Sequence, residues 1–320
     1  RVITNKPVRK TPYQVKGVIM RQHPNEDIIP MLNGFYRDRY LYPRVQVKIL
    51  NEQIHLIGIN EGVDPVISLT KRLKSLDFGN ITFDVEHTDL DSASNQFKPS
   101  ENLVHYKFIT PWVALNHMTG GKYKLLTNQE KPSYLNKLLG QNIIFLAKEV
   151  GVDLTDDILT KVKVSSLSPE PVDDNKWSAF MGAFKTNFIL PNYIGIGNGI
   201  TRGYGAIYSA SSSDILFYDE NDLTKSEIED FDESEGVDSI SASDVPNPKR
   251  KKHSRGKKKF NPRGKLKDLK SKKKKRYSNK SQRKQGKHYN ASNRKKQHHR
   301  HIISEDYDIE EVSGNIKKQN

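Results

Sequence analysis

Two hydrophobic periods share the first 218 residues, and they come in a repeating order. Apolar positions open the chain as a short strand over residues 1–8. A helix over residues 12–20 follows, with Pro12 at its start, where a missing N–H costs nothing. Residues 23–44 have no period and are rich in Pro, Asn, Gly, Arg and Tyr, which predicts a long loop. Val45, Val47 and Ile49 then alternate with Gln46, Lys48 and Leu50, and Ile54, Leu56 and Ile59 form a second run. Asn51 and Glu52 make the turn between them. Residues 65–76 suit a helix capped by Asp64, and Ile81, Phe83 and Val85 alternate as a strand. The order is βαββαβ, a ferredoxin-like unit.

The pattern then runs a second time. Residues 89–101 are polar and predict a linker. Strands are expected at residues 103–109, 161–165, 171–177, 179–190 and 206–209. A helix is expected over residues 134–150, with Leu135, Leu138, Leu139, Ile143, Leu146 and Ala147 on one face. The expected fold class is therefore α+β: two tandem ferredoxin-like (RRM-like, βαββαβ) domains, residues 1–95 and 96–218. A disordered tail, residues 219–320, follows them.

Charge separates the tail from the rest. The chain carries a formal net charge of +15, of which residues 1–218 hold only +4; residues 219–248 carry −10, residues 249–300 carry +24 and residues 301–320 carry −3. Such density without apolar periodicity cannot bury enough surface to fold alone. Basic runs at residues 249–252 and 271–276 suit phosphate contact without sequence preference. There are no cysteines, so disulfides and thiolate metal sites are excluded. No apolar run approaches the ~18 residues of a membrane span. No cofactor and no metal site is expected.

The densest chemical signal is residues 191–209, PNYIGIGNGITRGYGAIYS. Gly195, Gly197, Gly199, Gly203 and Gly205 fall within eleven residues, beside Arg202. The spacing is neither a dinucleotide fingerprint nor a phosphate-binding loop with G-K-[ST]. It suits a loop whose backbone N–H groups and cation meet an RNA backbone. The long loop is the second signal: four aromatics and two arginines fall within residues 35–43. Of these, Tyr36, Arg37, Arg39 and Tyr42 are expected to stack on bases and meet phosphates.

The strand–proline–IGIG–basic turn–GYG order resembles the glycine-rich loop of the RAMP superfamily of CRISPR-associated RNA-binding proteins. VKGVIMRQ (residues 15–22), YLYPRVQVKIL (40–50), IHLIGINEG (54–62), FITPWVALN (108–116) and residues 180–208 fall in the order of that superfamily's b-type repeat-processing endoribonucleases. The resemblance implies CRISPR repeat RNA (or crRNA) bound across two ferredoxin-like domains. It implies metal-independent cleavage to a 2′,3′-cyclic phosphate, in a prokaryotic cytoplasm, with other CRISPR effector subunits as further partners. It also implies a His-x-His element, whose positions here hold Leu32 and Gly34. The acid–base role then passes to His23, assisted by Lys16 and Tyr40, with His105 and His117 next in line. The alternative is a catalytically reduced RAMP-type protein that holds guide RNA within an effector complex. A nucleic-acid chaperone driven by the tail stands third.

Overall fold

The structure is a computed structural model and describes residues 1–172, 177–209 and 236–245. The first sheet contains β1 (Val2–Thr4), β2 (Val45–Leu50), β3 (Gln53–Gly58), β4 (Ser75–Asp77) and β5 (Thr82–Thr88), in the order β2-β3-β1-β5-β4. β1 lies between β3 and β5, antiparallel to both. This is the ferredoxin arrangement with a short hairpin strand added at one edge. Asn51 and Glu52 turn β2 into β3 with φ of 48° and 58°. Polar side chains tolerate this left-handed region better than bulky ones do.

Helices α1 (Pro12–Gln22), α2 (Ile29–Leu32) and α3 (Val63–Arg72) belong to this half. Thr11 and Gln14 close a capping box at the start of α1, which satisfies two otherwise unpaired amides. α3 differs from expectation. It begins at Val63 out of a 3-10 turn over Asn60–Gly62, without a side-chain cap, and Asp64 sits inside its first turn. There its carboxylate still meets the positive end of the helix dipole. Val15, Val18, Ile19, Val45, Val47, Ile54, Val66, Leu69 and Phe83 pack between these helices and one face of the sheet.

The second half repeats the plan with one substitution. β6 (Lys98–Phe108), α5 (Lys131–Val150), β8 (Ile158–Val164), β11 (Gly182–Ile189) and β12 (Ile207–Ser209) give the order β12-β6-β11-β8. α5 covers one face with Leu135, Leu139, Ile143 and Leu146 and stops at Gly151, φ 83°. Where a second helix would connect β11 to β12, the chain instead runs through the glycine-rich segment. β7 (Trp112–Leu115), β9 (Glu170–Val172) and β10 (Trp177–Phe180) form a small separate sheet. α4 (His117–Leu125) was not legible as a helix, because two central glycines break its pattern. An Asn116–Thr119 capping box starts it.

Residues 236–245, within the stretch expected to be tail, are part of this sheet. β13 (Asp238–Ile240) pairs antiparallel with β8. Ile240 is 5% and Val245 2% exposed. Asn136 donates to the Asp238 carboxylate at 2.7 Å, and Lys148 donates to the carbonyls of Ala242 and Val245 at 2.9 and 2.7 Å. Three isolated apolar residues in an acidic stretch leave no period to read, yet α5 offers them a finished surface. The remaining tail lies outside the described residues.

Candidate nucleic-acid interface

The glycine-rich segment sits against the open face of the first sheet. β2 turns Gln46 and Lys48 toward it, and neither side chain is solvated: Gln46 is 1% and Lys48 0% exposed. Gln46 accepts from the Gly195 N–H at 2.8 Å and donates to the Tyr42 hydroxyl at 3.0 Å; that hydroxyl donates to the Gly195 carbonyl at 2.8 Å. Lys48 donates to the Tyr204 carbonyl at 2.8 Å and to Ile200 at 3.5 Å. From α1, Lys16 reaches the Thr201 carbonyl at 3.4 Å. Two lysines of the first half thus hold the tip of the loop by its carbonyls.

A second tie fixes the end of the long loop. The amides of Leu41 and Tyr42 donate to the Glu149 carboxylate of α5 at 3.1 and 3.3 Å. Arg44 pairs with Glu61 at 2.8 Å and donates to the Glu149 carbonyl at 2.5 Å. Its guanidinium lies 4.9 Å from the Tyr40 ring centre.

These contacts reassign several expected site residues. All five glycines are buried. The N–H groups of Gly195, Gly203 and Gly205 are donated within the protein, to Gln46, Ile200 and Pro111. A Cβ on Gly197 would lie 2.8 Å from Trp112, and one on Gly205 would lie 1.9 Å from the Ile196 carbonyl. Close packing of the loop on its own domain requires these glycines, and the segment presents Thr201, Arg202 and Tyr204 rather than bare backbone. Arg202 stacks over Trp177 at 5.1 Å. Tyr42 is 1% exposed, and burial pushes its hydroxyl above its ordinary pKa. It belongs to the junction rather than to a surface.

Phe35, Tyr36, Arg37 and Arg39 of the aromatic–arginine cluster reach the surface. Phe35 is 76% exposed, Arg39 is exposed, and Tyr36 and Arg37 are half-buried. The Arg39 guanidinium lies 5.8 Å from the Tyr36 ring and 5.1 Å from the Tyr40 ring. Tyr36, Arg39, Tyr40, Glu26, Met31 and Pro24 line an open concavity of about 440 Å³.

The structure does not gather His23, Lys16 and Tyr40 into one cluster. Lys16 and Tyr40 are 5% and 7% exposed, one facing the loop and the other stacked among arginines. His23 caps the C-terminus of α1, half-buried, about two turns, ~10 Å, from Lys16 along the helix. Leu32 packs in the first core at 5% exposure, and Gly34 takes φ 79° with open space around it. His117 is exposed at the start of α4. His105 stands half-buried on β6, its pKa lowered by burial and by Lys185.

Two titratable groups of the junction escaped the sequence reading. Burial lowers Lys48 from 10.5 to about 7. His55, its cross-strand partner, falls from 6.5 to about 4, chiefly through burial and then through the charges of the amino terminus and Arg1. The His55 ring lies 5.2 Å from Tyr193. Both residues occupy the polar side of an alternating strand, which reads as solvent-facing until a second domain covers it. Among the described residues, no group of three His, Cys, Asp or Glu side chains is placed to hold a metal ion. No helix there is long and apolar enough to cross a membrane.

The chain matches two family models, the Cas6b N-terminal domain over residues 2–96 and the Cas6b C-terminal domain over residues 98–210. A crystal structure of Cas6b superposes with a TM-score of 0.55 at 26% identity, covering 62% of this chain and 91% of that one. A second structure, described as the CRISPR RNA processing endoribonuclease Cas6b, matches at 25% identity with a TM-score of 0.44, over 56% of this chain and 89% of that one. The uncharacterized protein MJ0978 of Methanocaldococcus jannaschii is 35% identical over 116 residues, which is 35% of this chain and 76% of that protein.

Proposed function

Because this chain belongs to the Cas6b family through both of that family's domains, we propose that it binds CRISPR repeat RNA and cuts it without a metal ion, leaving a 2′,3′-cyclic phosphate. The observation that carries this reading is the junction. α1 meets the tip of the glycine-rich loop there, and Tyr42 at the end of the aromatic–arginine loop bonds to Gly195; Phe35, Tyr36 and Arg39 stand at the surface of the long loop and Arg202 at the surface of the glycine-rich loop over Trp177. Exposed rings stack on splayed bases, and guanidiniums meet phosphates. Arg37, Arg39 and Arg202 hold the backbone. His23 acts as the base toward the ribose 2′-hydroxyl. Lys16 and Tyr40 act as positioning residues, holding the loop tip and the arginines from behind.

One observation favours a second reading, a guide-holding protein with reduced cleavage. Leu32 is a core residue, so the expected histidine pair is missing at a position where an imidazole would be buried in apolar surroundings. General acid–base catalysis supplies typically 10²–10⁴-fold in rate. The test incubates the full chain with labelled repeat RNA in EDTA. Slow cleavage to a cyclic phosphate end, abolished by His23→Ala with binding retained, supports the first reading. Binding without product selects the second. Fast cleavage indifferent to His23→Ala defeats the proposed role of His23.

A further inference from the structure

The turn between α1 and α2 and the long loop after α2 together line a concavity of about 440 Å³, inside the range of small-ligand sites, about 300–1,000 Å³. Its lining has three kinds of surface. The first is aromatic and cationic. Tyr36 and Tyr40 stand edge to face with ring centres 6.1 Å apart, and the Arg39 guanidinium lies 5.8 and 5.1 Å from those centres. The second is apolar, from Ile29, Met31 and Pro65. The third is a pair of carboxylates, Glu26 and Asp27. Glu26 is anchored: its side chain is 13% exposed and its Oε1 accepts from Arg72 at 2.7 Å. Among the described residues, nothing donates to Glu26 Oε2 or to the Asp27 carboxylate.

This lining suits a neutral flat ring better than a phosphate. Glu26, Asp27, Arg39 and Arg72 cancel in formal charge, and two carboxylates repel an anion. Rings and a guanidinium plane offer stacking to any base. The carboxylates then choose among bases, because they only accept. Guanine carries two N–H donors side by side on its Watson–Crick edge, N1–H and N2–H. In adenine and cytosine the amino group sits beside a ring nitrogen that is itself an acceptor, and the N–H of uracil lies between two carbonyls. A carboxylate pairs with the first edge and repels part of each of the others. The concavity also adjoins the proposed base. Pro24 and Asn25, which follow His23, line it, and the Glu26 N–H donates to the His23 carbonyl at 3.2 Å. One short turn therefore carries His23 at one end and the guanine acceptor at the other.

We infer that this concavity holds a single guanine base of the bound RNA, stacked on the Tyr36–Arg39 wall and read by Glu26 and Asp27, as a specificity site beside His23. The inference rests on the RNA-binding reading above and adds a base preference to it. A free guanine nucleotide shares the same chemistry and is separated from RNA by the experiment.

The test measures binding of the full chain to a labelled oligouridylate and to the same oligonucleotide with one central guanosine, inosine or adenosine. The parent is expected to bind the guanosine form about tenfold more tightly than the adenosine or all-uridine form, the discrimination of one good two-bond pair. Inosine, which lacks the N2 amino group, is expected to lose most of that gain. Glu26→Gln/Asp27→Asn is expected to bind all four within about twofold of one another, since an amide offers a donor where the guanine edge needs an acceptor. Tyr36→Ala is expected to weaken the guanosine form about tenfold through lost stacking. If the double variant does not fold by circular dichroism, the exposed Asp27→Asn alone serves, with part of the guanosine preference lost. A parent that binds the oligonucleotides without preferring guanosine overturns the inference, as does a preference that survives the carboxamide variants. Guanosine 5′-monophosphate bound as tightly as the guanosine oligonucleotide assigns the concavity to a free nucleotide and overturns the RNA claim. A parent that binds none of these oligonucleotides and no repeat RNA brings down the reading under Proposed function first.

Discussion

His55 is a half-buried imidazole whose surroundings set the direction of its proton response. Its pKa is about 4 in the fold against an ordinary 6.5. Between those values the unfolded chain binds the proton and the folded chain does not, so stability falls as pH drops from 6.5 toward 4. At 1.36 kcal/mol per unit the full effect is about 3 kcal/mol. His55→Gln should flatten that limb of a denaturant-unfolding profile taken from pH 7 to 4 while changing little above pH 7. Gly197 makes a contrasting case. With φ 91° and Trp112 at 2.8 Å from an added Cβ, Gly197→Val combines left-handed strain with overpacking. It should lower stability by about 3 kcal/mol or more, read as a shift of the urea midpoint. A loop that only offered its backbone to RNA would lose RNA affinity alone on gaining a valine. The buried loop makes stability the first thing lost. Arg202 is the better probe of the proposed contact between the loop and RNA, because its side chain is half-buried over Trp177 and is not part of the core.

At the scale of elements, period-two strands and the long α5 were legible because their apolar positions repeat often enough to be counted. α4 and β13 were not, since the first is interrupted by Gly120 and Gly121 and the second has three residues. The site was legible in its residue types and only partly in their placement. Tyr36 and Arg39 lie on a surface as their chemistry suggests. Tyr42, Lys16 and Gly195 are spent on joining the two halves, and Gly197 and Gly205 on packing the loop within its own half, uses that local pattern does not carry. The reassigned β13 has a direct consequence. Cutting the chain after residue 218 removes Ile240 and Val245 from α5, and burying side chains of this size is worth roughly 1.5–3 kcal/mol each. Such a truncation should lower the melting temperature by about 6–24 °C. Truncation after residue 248 should leave it unchanged.

For the molecule as a whole, that second cut is also the clean way to ask what the basic residues 249–300 do. Their charge of +24 predicts a steep, sequence-blind salt dependence of RNA binding. Truncation after residue 248 should flatten the dependence and leave the preference for repeat over random RNA equal or higher. A preference lost with the tail would make the tail a reader of sequence. The earlier cut confounds the two effects, because it also strips an edge strand from the second sheet.

Lys48 gives the joint between the halves a chemical signature. A solvated lysine holds its proton up to about pH 10.5, while Lys48 releases its own near 7. Across that interval sealing the joint expels a proton, so the joint tightens with rising pH and is at its weakest at and below neutrality. A phosphate backbone laid along the loop tip favours the charged form of the same amine. By reciprocity, RNA binding at pH 8 should then draw a proton from solvent. Titration calorimetry in buffers of unlike ionisation heat would read this uptake as a fraction of a proton per complex, and Lys48→Met should abolish it.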